Sequence, residues 1–346
     1  MFKPTRLFTA AALALSSLVT SFSAAAQDVT LKLHHFLPAG SFAQTMLLQP
    51  WCDRIAKESA NKMKCQIYPS MQLGGTPPQL IDQVKDGIVD IVWTLPGYSA
   101  GRYPVLEVFE LPFMMQNPEG TSKAVWDFVQ QHDAAEFKDI KALAFHVHGD
   151  GVFHTNKRPI QTLADMKGLK LRAPTRQTNK LLAALGATPV AMPVPQVSEA
   201  LSKGVIDGAL VPYEVVPAVK LHELAKFHSE TDPAEPALYT STFVLAMNPA
   251  KYNSLPPELK KVIDNTTGIA LSAAAGKAFM AADVEGKKMV GKNPVNVIPK
   301  AELDNWKKAG QQITDAWVAD VTAKGANGKQ LLEQAQALIA KHAGGK

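Results

Sequence analysis

The hydrophobic and polar positions between residues 27 and 150 predict strands separated by helices. Val29–Phe36 begins with alternating apolar and polar residues, and Val89–Leu95 is a mostly apolar run of the kind found in buried strands. The other elements predicted here are a helix at Phe42–Lys57, a strand at Lys64–Tyr68, and a helix at Pro77–Asp86 that opens on prolines. A strand–helix–strand–helix–strand order is typical of a parallel sheet covered by helices.

A second series of the same kind begins near residue 143. The predicted strands are Ala142–Val147, Val152–Thr155, Leu169–Ala173, Thr188–Met192, Gly208–Val211 and Tyr239–Met247, and the predicted helices between them are Thr175–Leu185 and Val197–Lys203. After these, helices are predicted at Pro256–Lys288 as one long element, Leu303–Ala323 and Gln330–His342. Two α/β lobes of this kind form a cleft at the carboxyl ends of their strands, where ligands bind.

The first 26 residues have the pattern of a secretory signal peptide. Lys3 and Arg6 precede an uncharged apolar run from Leu7 to Phe22, and Ala24–Ala26 offers a cleavage site after Ala26. No stretch beyond residue 30 is apolar for the ~18 residues that a membrane helix needs. The sequence therefore predicts an exported, periplasmic protein.

Charge and cysteine content add two expectations. The 346 residues carry 36 Lys and Arg against 31 Asp and Glu, a formal charge of +5 with no basic run, so a nucleic-acid partner is not expected. Cys52 and Cys65, the only cysteines, fall on a predicted helix and on the strand that follows it. In an oxidising compartment, a helix packed on the next strand can bring two cysteines to bonding distance, and we expect a disulfide.

Two motifs suggest catalysis or metal binding but lack the context that either requires. Gly97–Gly101 matches G-x-S-x-G, yet Pro104 disfavours the helix that must follow the nucleophile Ser99, so a periplasmic esterase is the weaker alternative. Histidines that could bind a metal are His34, His35, His146, His148 and His154. Of these, His146 and His148 share a strand face, but a zinc site needs three or four ligands, and we expect no metal. Nucleotide-binding glycine motifs are absent, and no cofactor is expected.

Arg172 is the most informative single charge. It shares a strand face with Lys170 and ends the predicted strand Leu169–Ala173, just before Pro174. An arginine at the carboxyl end of such a strand points towards the cleft, where its planar guanidinium suits bidentate binding of a carboxylate. On spacing alone, a solvated surface arginine is an equal alternative.

The sequence around Arg172 resembles a known family. The runs Asn156–Ile160, Asp165–Pro174, Leu185–Pro193 and Val197–Gly208 are similar to the solute-binding proteins of TRAP transporters, the DctP family, and Met71–Gly75 and Leu111–Phe113 also fit. The likeness covers nearly the whole chain after the signal peptide. It implies a two-lobed α/β periplasmic binding protein without catalysis, with hinge strands and one long helix across both lobes. Such a receptor closes on an organic acid and delivers it to membrane permease subunits.

The resemblance also implies where the two lobes begin and end and which residue binds the solute carboxylate. Lobe I would comprise residues 27–150 plus 239–280, and lobe II residues 151–238 plus 281–346. The signature arginine of the family, which clamps the solute carboxylate, falls on Arg172. The short C-terminal helix favours a monomer, whereas a cation beside the solute and a sensory rather than transport role stay open.

Departures from the sialic-acid-binding members narrow the expected solute. Their second arginine falls on Phe153, their cleft glutamate on Leu95 and their asparagine on Val211. A ligand with many hydroxyls would leave polar groups unpaired at these positions. We therefore expect a monocarboxylate with an aromatic or otherwise apolar body, of the 2-oxo, 2-hydroxy or benzoate type, with C4-dicarboxylates and sugar acids as the alternative. Further expected ligand contacts are His35, Phe36, Trp93, His148, Pro174, Arg176, Val194, Tyr213 and Tyr239.

Overall fold

The computed structural model describes residues 28–132 and 135–344, so the expected signal peptide lies outside the described residues. These residues form strands β1 (Val29–His35), β2 (Met63–Tyr68), β3 (Ile91–Thr94), β4 (Lys141–Val147), β5 (Val152–Thr155), β6 (Lys170–Ala173), β7 (Thr188–Ala191), β8 (Gly208–Val211), β9 (Phe227–Glu230), β10 (Thr242–Met247) and β11 (Val295–Val297). The strands predicted from the sequence are all present, with β9 and β11 in addition.

The helices pack around these strands. They are α1 (Gln49–Glu58), α2 (Leu80–Lys85), α3 (Pro118–His132), α4 (Leu163–Met166), α5 (Arg176–Ala184), α6 (Val197–Ser202), α7 (Leu221–Leu224), α8 (Pro249–Ser254), α9 (Pro257–Thr266), α10 (Ile269–Met289), α11 (Lys300–Ala323) and α12 (Gly328–Ala343). A π-helical segment, Ala43–Leu48, leads directly into α1 and completes the helix predicted there. No helix among the described residues is long and apolar enough to cross a membrane.

Two separate sheets confirm the two-lobed α/β fold. The first has the strand order β2-β1-β3-β10-β4, in which β1 is parallel to β2 and β3 while β10 is antiparallel to both of its neighbours. The second has the order β11-β9-β5-β8-β6-β7, with β6 parallel to β7 and β8. The chain passes from the first sheet to the second between β4 and β5 and returns between β9 and β10. These crossings are the expected hinges, although residues 148–151 and 231–241 are irregular segments and not strands. The chain crosses a third time between β10 and β11, along α10.

The predicted single helix at Pro256–Lys288 is wrong, because the chain breaks between α9 and α10. Gly268 has φ +82° and ψ −153°, a conformation that residues with a side chain rarely adopt. Its N–H donates to the Leu143 carbonyl at 2.7 Å, which fixes the start of α10 against β4. The backbone of α10 then passes so close to the other lobe that a Cβ on Gly286 would lie 2.0 Å from the backbone carbonyl oxygen of Tyr213. Helix α10 therefore spans both lobes, as expected.

Helix α3 was not predicted. It covers β4 of the first sheet, where Ser122 Oγ donates to the Pro118 carbonyl at 2.6 Å and accepts from the Val147 N–H at 3.1 Å. Helix α12 packs on α3 rather than on the second sheet, although residues 281–346 were expected in lobe II. The remaining lobe boundaries stay a prediction.

The predicted disulfide is present. Cys52 on α1 and Cys65 on β2 are joined with a Cα–Cα distance of 5.5 Å, and they tie the helix to the edge strand of the first sheet.

Candidate functional site

A narrow cavity lies between the two sheets. The space not filled by protein atoms is about 340 Å³ with open solvent included, and the centre of a water molecule can occupy about 30 Å³. Its walls come from loops at strand ends in both lobes and from the chain crossings between them. The lining residues are Phe36, Leu37, Trp93, Leu95, Tyr98, His148, Arg172, Pro174, Val194, Val211, Pro212, Glu214, Val215, Tyr239, Ser241 and Phe243. Most of these side chains are apolar or aromatic, so the few polar groups decide what can bind.

Arg172 is buried in the second-lobe wall with one nitrogen unpaired. Strand β6 carries it between β7 and β8, and its side chain is 2% exposed. Its Nε donates to the Met192 carbonyl at 3.0 Å, and Nη1 donates to the Leu210 carbonyl at 3.2 Å. The Tyr98 hydroxyl also lies beside the guanidinium and interacts with it. Within the described part of the chain, Nη2 has no hydrogen-bond partner of good geometry and Arg172 takes part in no ion pair. A buried, uncompensated cation of this kind is suited to an anionic ligand.

Aromatic rings form the first-lobe wall. The Trp93 ring stacks on Phe36 at 5.1 Å and on Phe243 at 4.8 Å between centroids. Its Nε1 donates to His146 Nε2 at 2.8 Å. Burial lowers the pKa of His146 to about 3, so this histidine is a neutral acceptor at physiological pH. The stacked rings offer a flat, apolar surface whose orientation is fixed by that hydrogen bond.

Two tyrosines connect the cavity walls to backbone groups. Tyr98, beyond the end of β3, accepts a hydrogen bond from the Val194 N–H of the other lobe at 3.1 Å. Tyr239, in the crossing that leads to β10, donates to the Leu210 carbonyl at 3.0 Å. Burial raises the pKa of Tyr98, so its hydroxyl stays neutral. These two bonds hold the lobes together over the cavity.

His148 lies at the crossing between β4 and β5. Its Nδ1 donates to the Gly149 carbonyl at 2.6 Å, and its ring meets Tyr239 edge-on at 5.1 Å. Burial lowers its pKa to about 4, so it contributes no positive charge near neutral pH.

Glu214 and Ser241 are polar groups of the cavity that the sequence reasoning missed. Glu214 Oε2 and Ser241 Oγ are buried and have no partner among the described residues. Burial, and secondarily Asp283, raises the pKa of Glu214 well above its ordinary value, which favours the neutral carboxyl. A signal existed for Glu214, because it is the one charge in the apolar run from Leu210 to Val219. Other lining residues that were missed are Leu37, Tyr98, Pro212, Val215 and Phe243.

Nine of the expected contact residues line this cavity, and four do not. Those in the walls are Phe36, Trp93, Leu95, His148, Arg172, Pro174, Val194, Val211 and Tyr239. His35 lies behind the wall, where its Nε2 donates to Gln44 Oε1 at 2.9 Å. Phe153 faces the opposite side of β5 and packs edge-on against Trp306 at 5.8 Å, because neighbouring strand residues point to opposite faces.

The other two are engaged elsewhere. Tyr213 donates to Glu230 Oε2 at 2.9 Å and lines a separate groove. Arg176 is paired with Glu107 and Asp320.

The groups considered for catalysis and metal binding have other partners. Ser99 Oγ donates to the Pro78 carbonyl at 3.2 Å and does not line the cavity. His154 Nδ1 lies 2.6 Å from His228 Nδ1 in a buried pair. The residues that the structure describes contain no group of three or more His, Cys, Asp or Glu placed to hold a metal ion.

Comparison with known proteins gives one family for nearly the whole chain. Residues 33–320 match the family model described as bacterial extracellular solute-binding protein, family 7, DctP. A crystal structure of a TRAP solute-binding protein from Rhodoferax ferrireducens T118 with copurified benzoate is 53% identical, with a TM-score of 0.90 over 91% of this chain and 98% of that one.

Two further solved structures are similar over comparable lengths. A marine metagenome TRAP solute-binding protein specific for aromatic acid ligands, with 3-hydroxybenzoate, is 44% identical, with a TM-score of 0.89 over 91% of this chain and 99% of that one. A TRAP periplasmic solute-binding protein from Bordetella bronchiseptica, with (R)- and (S)-mandelate, is 26% identical, with a TM-score of 0.83 over 90% and 99% of the two chains.

Proposed function

Because this chain belongs to the bacterial extracellular solute-binding proteins of family 7, we propose that it is the periplasmic receptor of a TRAP transporter for an aromatic monocarboxylate. The observation that carries this proposal is the unpaired Nη2 of Arg172 in a cavity walled by aromatic rings. Acids of the benzoate, aromatic 2-hydroxy or aromatic 2-oxo type suit it.

The charge of the cavity favours one carboxylate. Arg172 is the one lining residue among those described that is cationic near neutral pH, because burial lowers the pKa of His148 to about 4. A carboxylate on Nη2 would form a charge-assisted hydrogen bond in a site from which water is excluded. A C4-dicarboxylate would place its second charge against apolar or acidic groups, at a desolvation cost without compensation.

The walls favour an aromatic body. Trp93, Phe36 and Phe243 offer stacked and edge contacts to a ring. Leu95 and Val211 line the cavity where sialic-acid-binding relatives carry polar residues, and a sugar acid would leave hydroxyls unpaired there. The solved structures at 53% and 44% identity, with benzoate and 3-hydroxybenzoate, support the same class of solute.

Binding would work by closure of the lobes. The solute joins Arg172 on one lobe to the aromatic wall on the other, and so favours the closed form over the open one. The closed receptor would then deliver its acid to the membrane permease subunits. Export through cleavage after Ala26 and a monomeric state belong to this proposal.

Calorimetry on the mature protein tests the solute class. Benzoate, 3-hydroxybenzoate and mandelate are compared with succinate and galactonate, for the wild type, Arg172→Ala and the charge-retaining Arg172→Lys. We expect binding of the aromatic acids alone, and a loss of about a hundredfold or more in affinity for Arg172→Ala. Arg172→Lys should keep part of that affinity. Binding of succinate or galactonate in preference, or an unchanged Kd for Arg172→Ala, would overturn the proposal.

A further inference from the structure

Glu214 and Ser241 place two unpaired hydrogen-bonding groups in the cavity besides Arg172. Both side chains line it, and both are almost fully buried, at 3% and 0% exposure. The neighbouring polar groups are already satisfied, since Thr240 Oγ1 donates to the His148 carbonyl at 2.9 Å and the Glu214 N–H donates to Asp283 Oδ1 at 2.8 Å. Glu214 Oε2 and Ser241 Oγ, like Arg172 Nη2, are left without partners among the described residues.

We propose that Glu214 and Ser241 form a subsite for a hydroxyl group on the aromatic acid, so that the receptor selects hydroxylated over unsubstituted aromatic carboxylates. This inference rests on the proposed function and adds a second point of recognition to the carboxylate clamp.

The surroundings of Glu214 argue against a role as the counter-ion of Arg172. Among the described residues, Glu214 and Arg172 do not form an ion pair with each other, since no N–O distance between them is 4.0 Å or less. Burial raises the pKa of Glu214, which favours the protonated carboxyl. A neutral carboxyl group can both donate and accept a hydrogen bond, as can a phenolic or alcoholic hydroxyl, so the two are complementary.

In the free protein, leaving these two side chains unpaired costs free energy. This cost is the reason to expect a preference for hydroxylated acids. A buried carboxyl and a buried hydroxyl without partners destabilise the cavity wall, where an apolar residue would not. A site with such groups rejects an analogue that lacks the hydroxyl, because its own polar atoms then stay unpaired. Benzoate would therefore bind less tightly than at least one of its hydroxylated derivatives.

The test is the ratio of Kd values for benzoate and for 2-, 3- and 4-hydroxybenzoate. It is measured by calorimetry in the wild type, Glu214→Met, Glu214→Gln and Ser241→Ala. We expect the wild type to prefer one isomer about tenfold or more over benzoate. Glu214→Met and Ser241→Ala should reduce that ratio, whereas Glu214→Gln, which keeps a donor and an acceptor, should retain most of it. Ser99→Ala is the matched control, since it removes a hydroxyl that is bonded to the Pro78 carbonyl and does not line the cavity, and it should leave the ratio unchanged.

The outcomes separate this inference from the proposed function. Binding of benzoate with no preference for any hydroxybenzoate, or an unchanged ratio in both Glu214→Met and Ser241→Ala, overturns the hydroxyl subsite and leaves the aromatic-acid receptor intact. If no aromatic acid binds the wild type, the proposed function fails first. Should the Glu214 variants not fold, Ser241→Ala alone decides.

Discussion

Arg176 and Glu107 form an ion pair that connects the two lobes beside the cavity. Arg176 Nε lies 3.1 Å from both carboxylate oxygens of Glu107, Nη2 donates to Oε2, and Gln177 Nε2 donates to Oε2 at 2.6 Å. Glu107 belongs to the helical turn Leu106–Glu110, which contacts β10 of the first sheet, whereas Arg176 begins α5 on the second. Arg176, expected from the sequence to assist the ligand, therefore joins the lobes instead.

Removal of this ion pair should make the open form more populated. We expect Arg176→Ala to weaken benzoate binding by about tenfold, because part of the binding free energy must then restore the closed form. Small-angle scattering of the free protein should show a larger radius of gyration than for the wild type. Lys180→Ala is the control, since it removes a pair with Asp320 alone.

The reciprocal variant distinguishes this role from direct contact with the solute. Glu107→Gln should weaken binding as Arg176→Ala does if the pair holds the lobes together. If Arg176 bound the carboxylate itself, Glu107→Gln would release it for the ligand, and affinity would not fall.

Leu95 tests the apolar character of the wall. Leu95→Gln introduces a polar amide into an apolar part of the wall against which the ring is expected to pack, and should reduce benzoate affinity about tenfold. Leu95→Met keeps a similar apolar volume and should bind within a few-fold of the wild type. Calorimetric Kd values for the two variants check this. Equal losses in both would mean that the shape of the side chain, not its polarity, matters at this position.

Glu110 should make stability depend on pH. Burial, reinforced by Glu107, raises its pKa from 4.5 to about 8, so the folded state holds the proton more tightly than the unfolded state. The contribution of Glu110 to the free energy of unfolding therefore falls as pH rises from about 4.5 to about 8, by at most ~1.4 kcal/mol per pH unit. Glu110→Gln cannot ionise, and its amide oxygen can still accept the Thr242 N–H bond that is 3.2 Å long.

Urea unfolding at pH 5, 6, 7 and 8 measures this effect as the difference between variant and wild type. Relative to the wild type, Glu110→Gln should become more stable as pH rises. A difference that stays constant over this range, or that falls, would contradict the raised pKa.

The disulfide should stabilise the first lobe without affecting the site. Cys52 and Cys65 are 13 residues apart, and a loop of this size is worth about 3 kcal/mol in the chain-entropy model. We expect the double variant Cys52→Ser/Cys65→Ser to lose roughly that much free energy of unfolding in urea. Its benzoate Kd should match that of the wild type, because neither cysteine lines the cavity. Weaker binding would show that this edge of the sheet influences the cleft.

The elements that could be predicted are those whose pattern is local. Strands such as Val89–Leu95 and Gly208–Val211 carry apolar residues that report burial directly, and α11 and α12 have long helical periodicity. Helix α3 was not predicted because Thr121 and Ser122 lie on its buried face, and these polar residues interrupt the apolar pattern that indicates a helix. The break before α10 depends on a contact between Gly268 and the distant Leu143, which no local pattern contains.

The amino-acid sequence by itself determined the two α/β lobes, the disulfide pair and Arg172 as the carboxylate candidate, because strand alternation, compartment and side-chain chemistry are properties of short segments. Only the tertiary structure decided which side chains meet. It brought Phe243 of β10, and Ser241 just before β10, to the cavity that Glu214 also lines. It turned Phe153 towards Trp306 and Arg176 towards Glu107. These positions depend on the packing of segments far apart in the chain, and the burial that raises the pKa of Glu214 and leaves Arg172 Nη2 unpaired arises only from that packing.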